Sequence, residues 1–251
     1  MLRVKSKHRL MCGDSTDKVD VDRLMDGAKA DMVFTDPPYG VSYDGGNNKK
    51  KRLGIENDKL QGQDLTNLFN LSLKNAVAFT TDKSAFYIWY AQGKSVETYK
   101  SFSDSGLGLS IRAVIAWYKV RSSLGAFMAQ YIPNHESCIY AFKEGKSVKW
   151  NGPTNEKTVW ELQNESKNEY HPTQKPVELA ERAARNSSDR GDIILDLFLG
   201  SGSTLIASEK TNRRCYGMEL EPHYCSVAIK RWENFTGLTA TRDGKNEAAS
   251  Q

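Results

Sequence analysis

The stretch Asp192-Ile-Ile-Leu-Asp-Leu-Phe198 constrains this chain more than any other. Its apolar run reads as a strand buried on both faces, and it leads into Gly200-Ser-Gly-Ser-Thr204, a glycine turn that opens a helix over 205–210. Strand, glycine turn and helix in that order form the repeating unit of a parallel α/β sheet. The rest of the chain continues the alternation. Apolar runs predict strands over 30–35, 85–90, 112–118, 137–142 and 214–220. Leu65, Leu68, Phe69, Leu73, Ala76 and Val77 fall at helical spacing within 64–79. Pro176 opens a second helix, over 177–186. Pro222 starts a third, with Tyr224, Val227, Ala228, the stem of Arg231 and Phe235 on its apolar face. Residues 143–170 are polar and aperiodic and read as an insertion outside the core, while the polar end of the chain reads as a flexible tail.

Composition sets outer limits. The chain has 251 residues, room for one large domain. A mean hydropathy of −0.60 and the absence of any long apolar run exclude a membrane-spanning helix. The basic start of the chain lacks the apolar stretch of a secretory leader, so the expected location is cytoplasmic. Cys12, Cys138, Cys215 and Cys225 form no C-x-x-C pair, and the four histidines show no ligand spacing, so no metal site is expected. A net charge of +4 permits a nucleic-acid partner without requiring one.

Two segments carry chemistry. In the first, Gly200 and Gly202 let the backbone turn sharply beside a ligand, and the helix that follows offers unpaired amides. Glu219 ends the next predicted strand, where a carboxylate can accept hydrogen bonds from both ribose hydroxyls. Leu205 stands where a dinucleotide fingerprint needs its third glycine, which weakens an oxidoreductase reading. The second segment is Asp36-Pro37-Pro38-Tyr39, set directly after the strand at 30–35. Its prolines stiffen the backbone and remove two amide donors. The Asp36 carboxylate and the neighbouring carbonyls then form a cluster of acceptors suited to an exocyclic amine on a flat base. Tyr39 can stack on that base. Ten residues beyond the turn begins a run of four cations, Lys49, Lys50, Lys51 and Arg52, placed to meet DNA phosphates.

Taken together, these motifs resemble the DNA amino-methyltransferases, which use S-adenosylmethionine to methylate adenine N6 or cytosine N4. Asp36-Pro-Pro-Tyr39 matches the family's catalytic motif, and Asp196-Leu-Phe-Leu-Gly-Ser-Gly-Ser-Thr204 matches its cofactor loop. The catalytic motif comes first, which is the permuted order of the family's beta group. His171-Pro-Thr-Gln-Lys-Pro176 is similar to the segment that touches the methionine part of the cofactor. Leu10-Met-Cys-Gly-Asp14 is similar to the strand end beside its adenine, and Gly217-Met-Glu-Leu-Glu-Pro-His-Tyr224 to the ribose-binding strand and the helix after it.

The resemblance implies a single Rossmann-like, doubly wound, mostly parallel seven-stranded sheet in a circularly permuted methyltransferase fold. One catalytic domain would cover 1–240, with a small target-recognition insertion around 143–170 and a flexible tail at 241–251. It implies that Asp36, Pro37, Pro38 and Tyr39 are catalytic. S-adenosylmethionine would be held by Asp14, Asp36, His171, Pro172, Thr173, Lys175, Asp196, Phe198, Gly200, Ser201, Gly202, Thr204 and Glu219. The implied partner is double-stranded DNA in a bacterium, phage or prophage, with a homodimer permitted. Asp rather than Ser at position 36 favours adenine N6, with cytosine N4 as the alternative. An RNA or protein methyltransferase and a non-catalytic DNA-binding relic are more distant alternatives. His135-Glu136 also resembles a recurrent pair in these enzymes and reads here as a hydrogen-bonded structural pair at a strand start.

Overall fold

The computed structural model describes residues 2–4, 8–38, 60, 62–104, 106–120, 131, 133–162 and 174–242. Tyr39, Lys49–Arg52 and His171–Thr173 lie outside the described residues, as does the end of the chain from 243. In chain order the elements are β1 (Leu2–Val4), β2 (Arg9–Cys12), α1 (Lys18–Met25), β3 (Ala30–Thr35), α2 (Gly62–Ala78), β4 (Thr80–Tyr90), a 3-10 turn (Gln92–Lys94) and α3 (Ser95–Asp104). Then come β5 (Leu109–Lys119), β6 (His135–Lys143), β7 (Val159–Leu162), α4 (Val177–Ser187), β8 (Ile193–Asp196), α5 (Ser203–Lys210), β9 (Arg214–Glu219), α6 (Pro222–Thr236) and β10 (Ala240–Arg242).

Among the described residues these strands make one sheet in the order β10-β1-β2-β9-β8-β3-β4-β6-β5-β7. The expected seven strands form its centre, β2 to β5. The sheet is ten-stranded because β1 and β10 extend one edge and β7 the other. Those three strands hold three or four residues each, too few for a visible periodicity. The run β2-β9-β8-β3-β4 is parallel, and β6 turns the sheet antiparallel.

Alternation along the strands covers both faces, as a parallel sheet requires. Met32, Phe34, Tyr87, Trp89 and Ile194 point to the side packed by α4, α5 and α6. Val33, Phe86, Ile88, Ile193 and Leu195 point to the side packed by α1, α2 and α3. From β3 the chain proceeds outward through β4, and from β8 it proceeds outward through β9. The switch point of the winding therefore lies between β8 and β3, and the crevice for a ligand opens at their carboxyl ends. Asp196 ends β8, and Asp36 directly follows β3.

One local expectation gains an exception and two need correction. Of the stretch 143–170, the described residues up to 162 are exposed or half-buried except one. Trp160 is almost fully buried, and β7 pairs in parallel with β5. Asn151 donates to the Ser188 carbonyl at 3.0 Å, and Arg182 pairs with Glu156 at 2.7 Å. A single large aromatic residue anchors a polar stretch that averaging over the segment conceals. On α6 the buried residues are Tyr224, Cys225, Ala228 and Trp232, while Phe235 is exposed, so the apolar stripe runs one residue off the expected face. At the end of the chain, residues 240–242 form β10 against β1, so ordered structure extends past the expected start of the tail.

A buried histidine joins the two ends of the chain. His8 Nδ1 accepts from the Cys215 amide at 2.8 Å, and its Nε2 lies 2.7 Å from Glu209 Oε2, which also accepts from Trp232 Nε1 at 3.1 Å. The start of β2, β9, α5 and α6 are thereby tied together.

Candidate active site

The switch-point crevice gathers acidic side chains from four neighbouring strand ends. Asp196 is the most buried of them. Its Oδ1 accepts from Thr35 Oγ1 at 2.9 Å and from the Phe198 amide at 3.1 Å, and its Oδ2 accepts from Thr204 Oγ1 at 2.6 Å. Burial pushes its pKa up to about 7 against the pull of those three donors, and nearby Asp36 adds to the rise. The Thr35 bond joins β3 to β8 across the switch point, and the Thr204 bond fixes the first turn of α5.

The glycine turn takes the conformation its sequence requires. Gly200 and Gly202 have φ of 54° and 84°, a region that L side chains rarely adopt. A Cβ at Gly202 would stand 3.1 Å from that of Ala228, so α6 sets how closely the turn is packed. Glu219 closes the far side. Its Oε2 accepts from the Gly200 amide at 2.8 Å and its Oε1 from the Glu221 amide at 2.9 Å. Burial raises its pKa, opposed by those amides. Beside it, the Gly13 amide donates to the Glu219 carbonyl at 3.1 Å, and Asp14 Oδ1 accepts from the amide and hydroxyl of Thr16 at 2.9 and 2.8 Å. Ser201 bridges to the segment before α4 by donating to Gln174 Oε1 at 3.2 Å.

Asp36 sits where β3 ends, with Pro37 buried behind it. Its Oδ2 lies 2.7 Å from Lys175 Nζ, and the same ammonium lies 2.8 Å from Glu136 Oε2. Lys175 is buried, with its charge 5.1 Å from the centre of the Trp89 ring. Burial alone would lower its pKa, but the carboxylates of Asp36 and Glu136 raise it above the ordinary lysine value. Glu136 also pairs with Lys119. Burial would raise the Glu136 pKa, yet the two ammonium groups hold it at about 2. The site thus contains an alternating row of charges: Asp36, Lys175, Glu136, Lys119.

The structure brings together Asp14, Asp36, Pro37, Lys175, Asp196, Gly200, Ser201, Gly202, Thr204 and Glu219. It gives Lys175 a place the sequence motif does not: its ammonium joins the Asp36 carboxylate. Glu136, expected as a hydrogen-bonded residue at a strand start, is one, and its partner Lys175 also meets Asp36. The register of Glu136 offers the one available signal, since it opens an apolar strand as an isolated carboxylate.

A family model described as DNA methylase, for the N6 and N4 amino-methylating enzymes, matches residues 30–230. The chain belongs to that family. Among its relatives, the type II methyltransferase M.HpaI of Haemophilus parainfluenzae is 25% identical, with 92% of this chain and 76% of that protein covered. The type II methyltransferase M2.DpnII of Streptococcus pneumoniae is 29% identical, over 81% of this chain and 82% of that one. Solved structures share the fold. The M1.HpyAVI–SAM complex superposes with a TM-score of 0.67 at 22% identity, covering 89% of this chain and 99% of the other. The PvuII cytosine-N4-specific DNA methyltransferase superposes with a TM-score of 0.70 at 16% identity, covering 96% and 89%.

Proposed function

We propose that this protein transfers a methyl group from S-adenosylmethionine to N6 of adenine in double-stranded DNA. The observation that carries the reading is the pairing of Asp36, at the mouth of β3, with a built cofactor turn after β8, across one switch point. Family membership supports a DNA amino-methyltransferase, and Asp rather than Ser at position 36 favours adenine.

The residues present fit S-adenosylmethionine. Its ribose hydroxyls need acceptors, and Glu219 stands beside the Gly200 amide at the end of β9. When bound, the cofactor contributes an electrophilic methyl group. Glu219, Asp14 and the turn at 200–204 would hold it, together with His171, Pro172 and Thr173. The chain's own work is on the base. The exocyclic nitrogen is a poor nucleophile because its lone pair is delocalised into the ring. Asp36 and the Pro37 carbonyl would accept hydrogen bonds from that amine and draw the lone pair back onto nitrogen. Tyr39 would stack on the base once it has left the duplex, a step that costs about a few kcal/mol. Positioning the two reactants supplies much of the rate gain.

The test is nuclease digestion of DNA methylated in vitro, followed by mass spectrometry. N6-methyladenine is the expected product, and N4-methylcytosine would overturn the choice of base. For the cofactor, Glu219→Gln leaves one side-chain oxygen where the Gly200 and Glu221 amides now each have their own. Calorimetry is expected to show S-adenosylmethionine binding weakened by about 10- to 100-fold, as for loss of a charged hydrogen bond. Unchanged affinity would remove Glu219 from the ribose site. For DNA, Lys49, Lys50, Lys51 and Arg52 are assigned to phosphate contacts. Changing all four to Ala should flatten the dependence of DNA affinity on salt, by up to about 0.9 in log–log slope per lost contact. An unchanged slope would reject that assignment. Residues 143–170 keep the target-recognition role as a proposal, with part of the segment anchored to the body through Trp160.

A further inference from the structure

We propose that Glu136 is a positioning residue for this reaction: through Lys175 it fixes the orientation in which Asp36 meets the target amine. The inference rests on the amino-methyltransferase reading above and adds a residue to it.

An ammonium group buried away from water must be matched by counter-charges and hydrogen-bond acceptors. Among the described residues Lys175 meets Asp36 Oδ2 at 2.7 Å, Glu136 Oε2 at 2.8 Å and the face of Trp89 at 5.1 Å. These three differ in how firmly they are held. Trp89 lies on β4 and is fully buried. Glu136 lies on β6, which is hydrogen-bonded to β4 on one side and β5 on the other, with Glu136 opposite Trp117 and its neighbour Ser137 opposite Tyr90. Trp89 therefore belongs to the interior of the sheet, and Glu136 is held within a paired strand near its start. Asp36 is as exposed as Glu136, at 25% against 26%, but lies beyond the last residue of β3, outside the strand pairing. The sheet fixes Glu136 and Trp89, these fix the ammonium, and the ammonium fixes the carboxylate.

Charge sharing has a second consequence. If Lys175 faced Asp36 alone, its attraction would fall on that carboxylate undivided. With Glu136 as a second partner, Lys175 divides its attraction, and Asp36 keeps more of its strength as an acceptor for the amine. Lys119 balances Glu136 in turn, so the extra carboxylate can remain charged in a half-buried position.

The test compares Glu136→Gln, Lys175→Met and the double variant in the full-length protein. Glu136→Gln is isosteric and retains an acceptor oxygen. It is expected to lower kcat by about 10- to 100-fold, the scale of a small misplacement of a reacting group, while KM for S-adenosylmethionine stays within about twofold. If Glu136 acts through Lys175, the double variant is no slower than Lys175→Met alone. A crystal structure of Glu136→Gln should show the Asp36 carboxylate displaced. A kcat within about twofold of wild type, a loss confined to KM, additive losses in the double variant, or an unmoved Asp36 carboxylate would each overturn the proposal. The crystallographic arm does not depend on turnover. A wild-type protein that methylates no DNA would therefore refute the functional reading separately, leaving the placement of Asp36 by Glu136 to be judged on geometry.

Discussion

Asp36→Ala is expected to lower DNA methylation by at least about 10²- to 10⁴-fold, the range associated with losing a preorganised group that acts on developing charge. S-adenosylmethionine affinity should change by no more than a few fold. The separation of effects follows from the structure. Asp36 pairs with Lys175, whereas the turn at 200–204 is held separately by Asp196, Thr204 and Glu219. Alanine removes the acceptor for the amine and also takes one of two carboxylates from the buried ammonium. Glu136 still partners Lys175, so the fold should survive with a lower melting temperature. Asp36→Asn provides the control. It retains an oxygen acceptor and the side-chain shape but not the charge, so it should fall between wild type and Asp36→Ala in turnover. Labelled methyl incorporation gives the rates, and calorimetry gives the affinity. Wild-type turnover in Asp36→Ala would end the proposed role, whereas loss of cofactor binding would move Asp36 from the base to the cofactor.

The central strands were legible because each carries a mostly apolar run closed by a turn signal. Residues 30–35 end at two prolines, and 214–219 end before Pro222. β4 begins five residues before its apolar run, in Thr80-Thr-Asp-Lys-Ser84, because paired backbone extends the strand where side chains give no pattern. Helices α1 and α3 went unread for a related reason. α1 buries only Val21, Leu24 and Met25, and its start is set by Asp17 capping the Val19 amide at 2.8 Å. The glycine turn at 200–204 was legible residue by residue, since glycine positions and acidic strand ends are local signals. The charge row was not. Asp36, Lys175 and Glu136 come from three distant segments, and Glu136 reaches the site only because β6 runs antiparallel beside β4. No spacing rule joins positions 36, 136 and 175; the sheet order does.

Asp196 carries the second large effect, and it appears as a pH dependence of stability. Its pKa rises from 3.8 in the unfolded chain to about 7 in the fold, because burial disfavours the charged form. The folded state therefore holds the proton more tightly than the unfolded state. The stabilisation from this group is complete below pH 3.8 and is lost as pH rises through about 7. Glu136 works in the opposite sense. Its pKa of about 2 provides stability that is present above 4.5 and lost as the pH falls toward 2. Between pH 5 and 8 the Asp196 effect should dominate this pair. Asp196→Asn removes it with little loss of local structure. The Asn oxygen can accept from Thr35 and the Phe198 amide, while its amide donates to Thr204 Oγ1, whose own hydrogen can rotate away. Urea denaturation at pH 5 and pH 8 should therefore show the variant gaining about 2–4 kcal/mol relative to wild type over that interval. Parallel pH profiles for the two proteins would mean that Asp196 is ionised throughout. The Thr35, Thr204 and Phe198 donors would then outweigh its burial, and the crevice would present a permanent carboxylate beside Asp36.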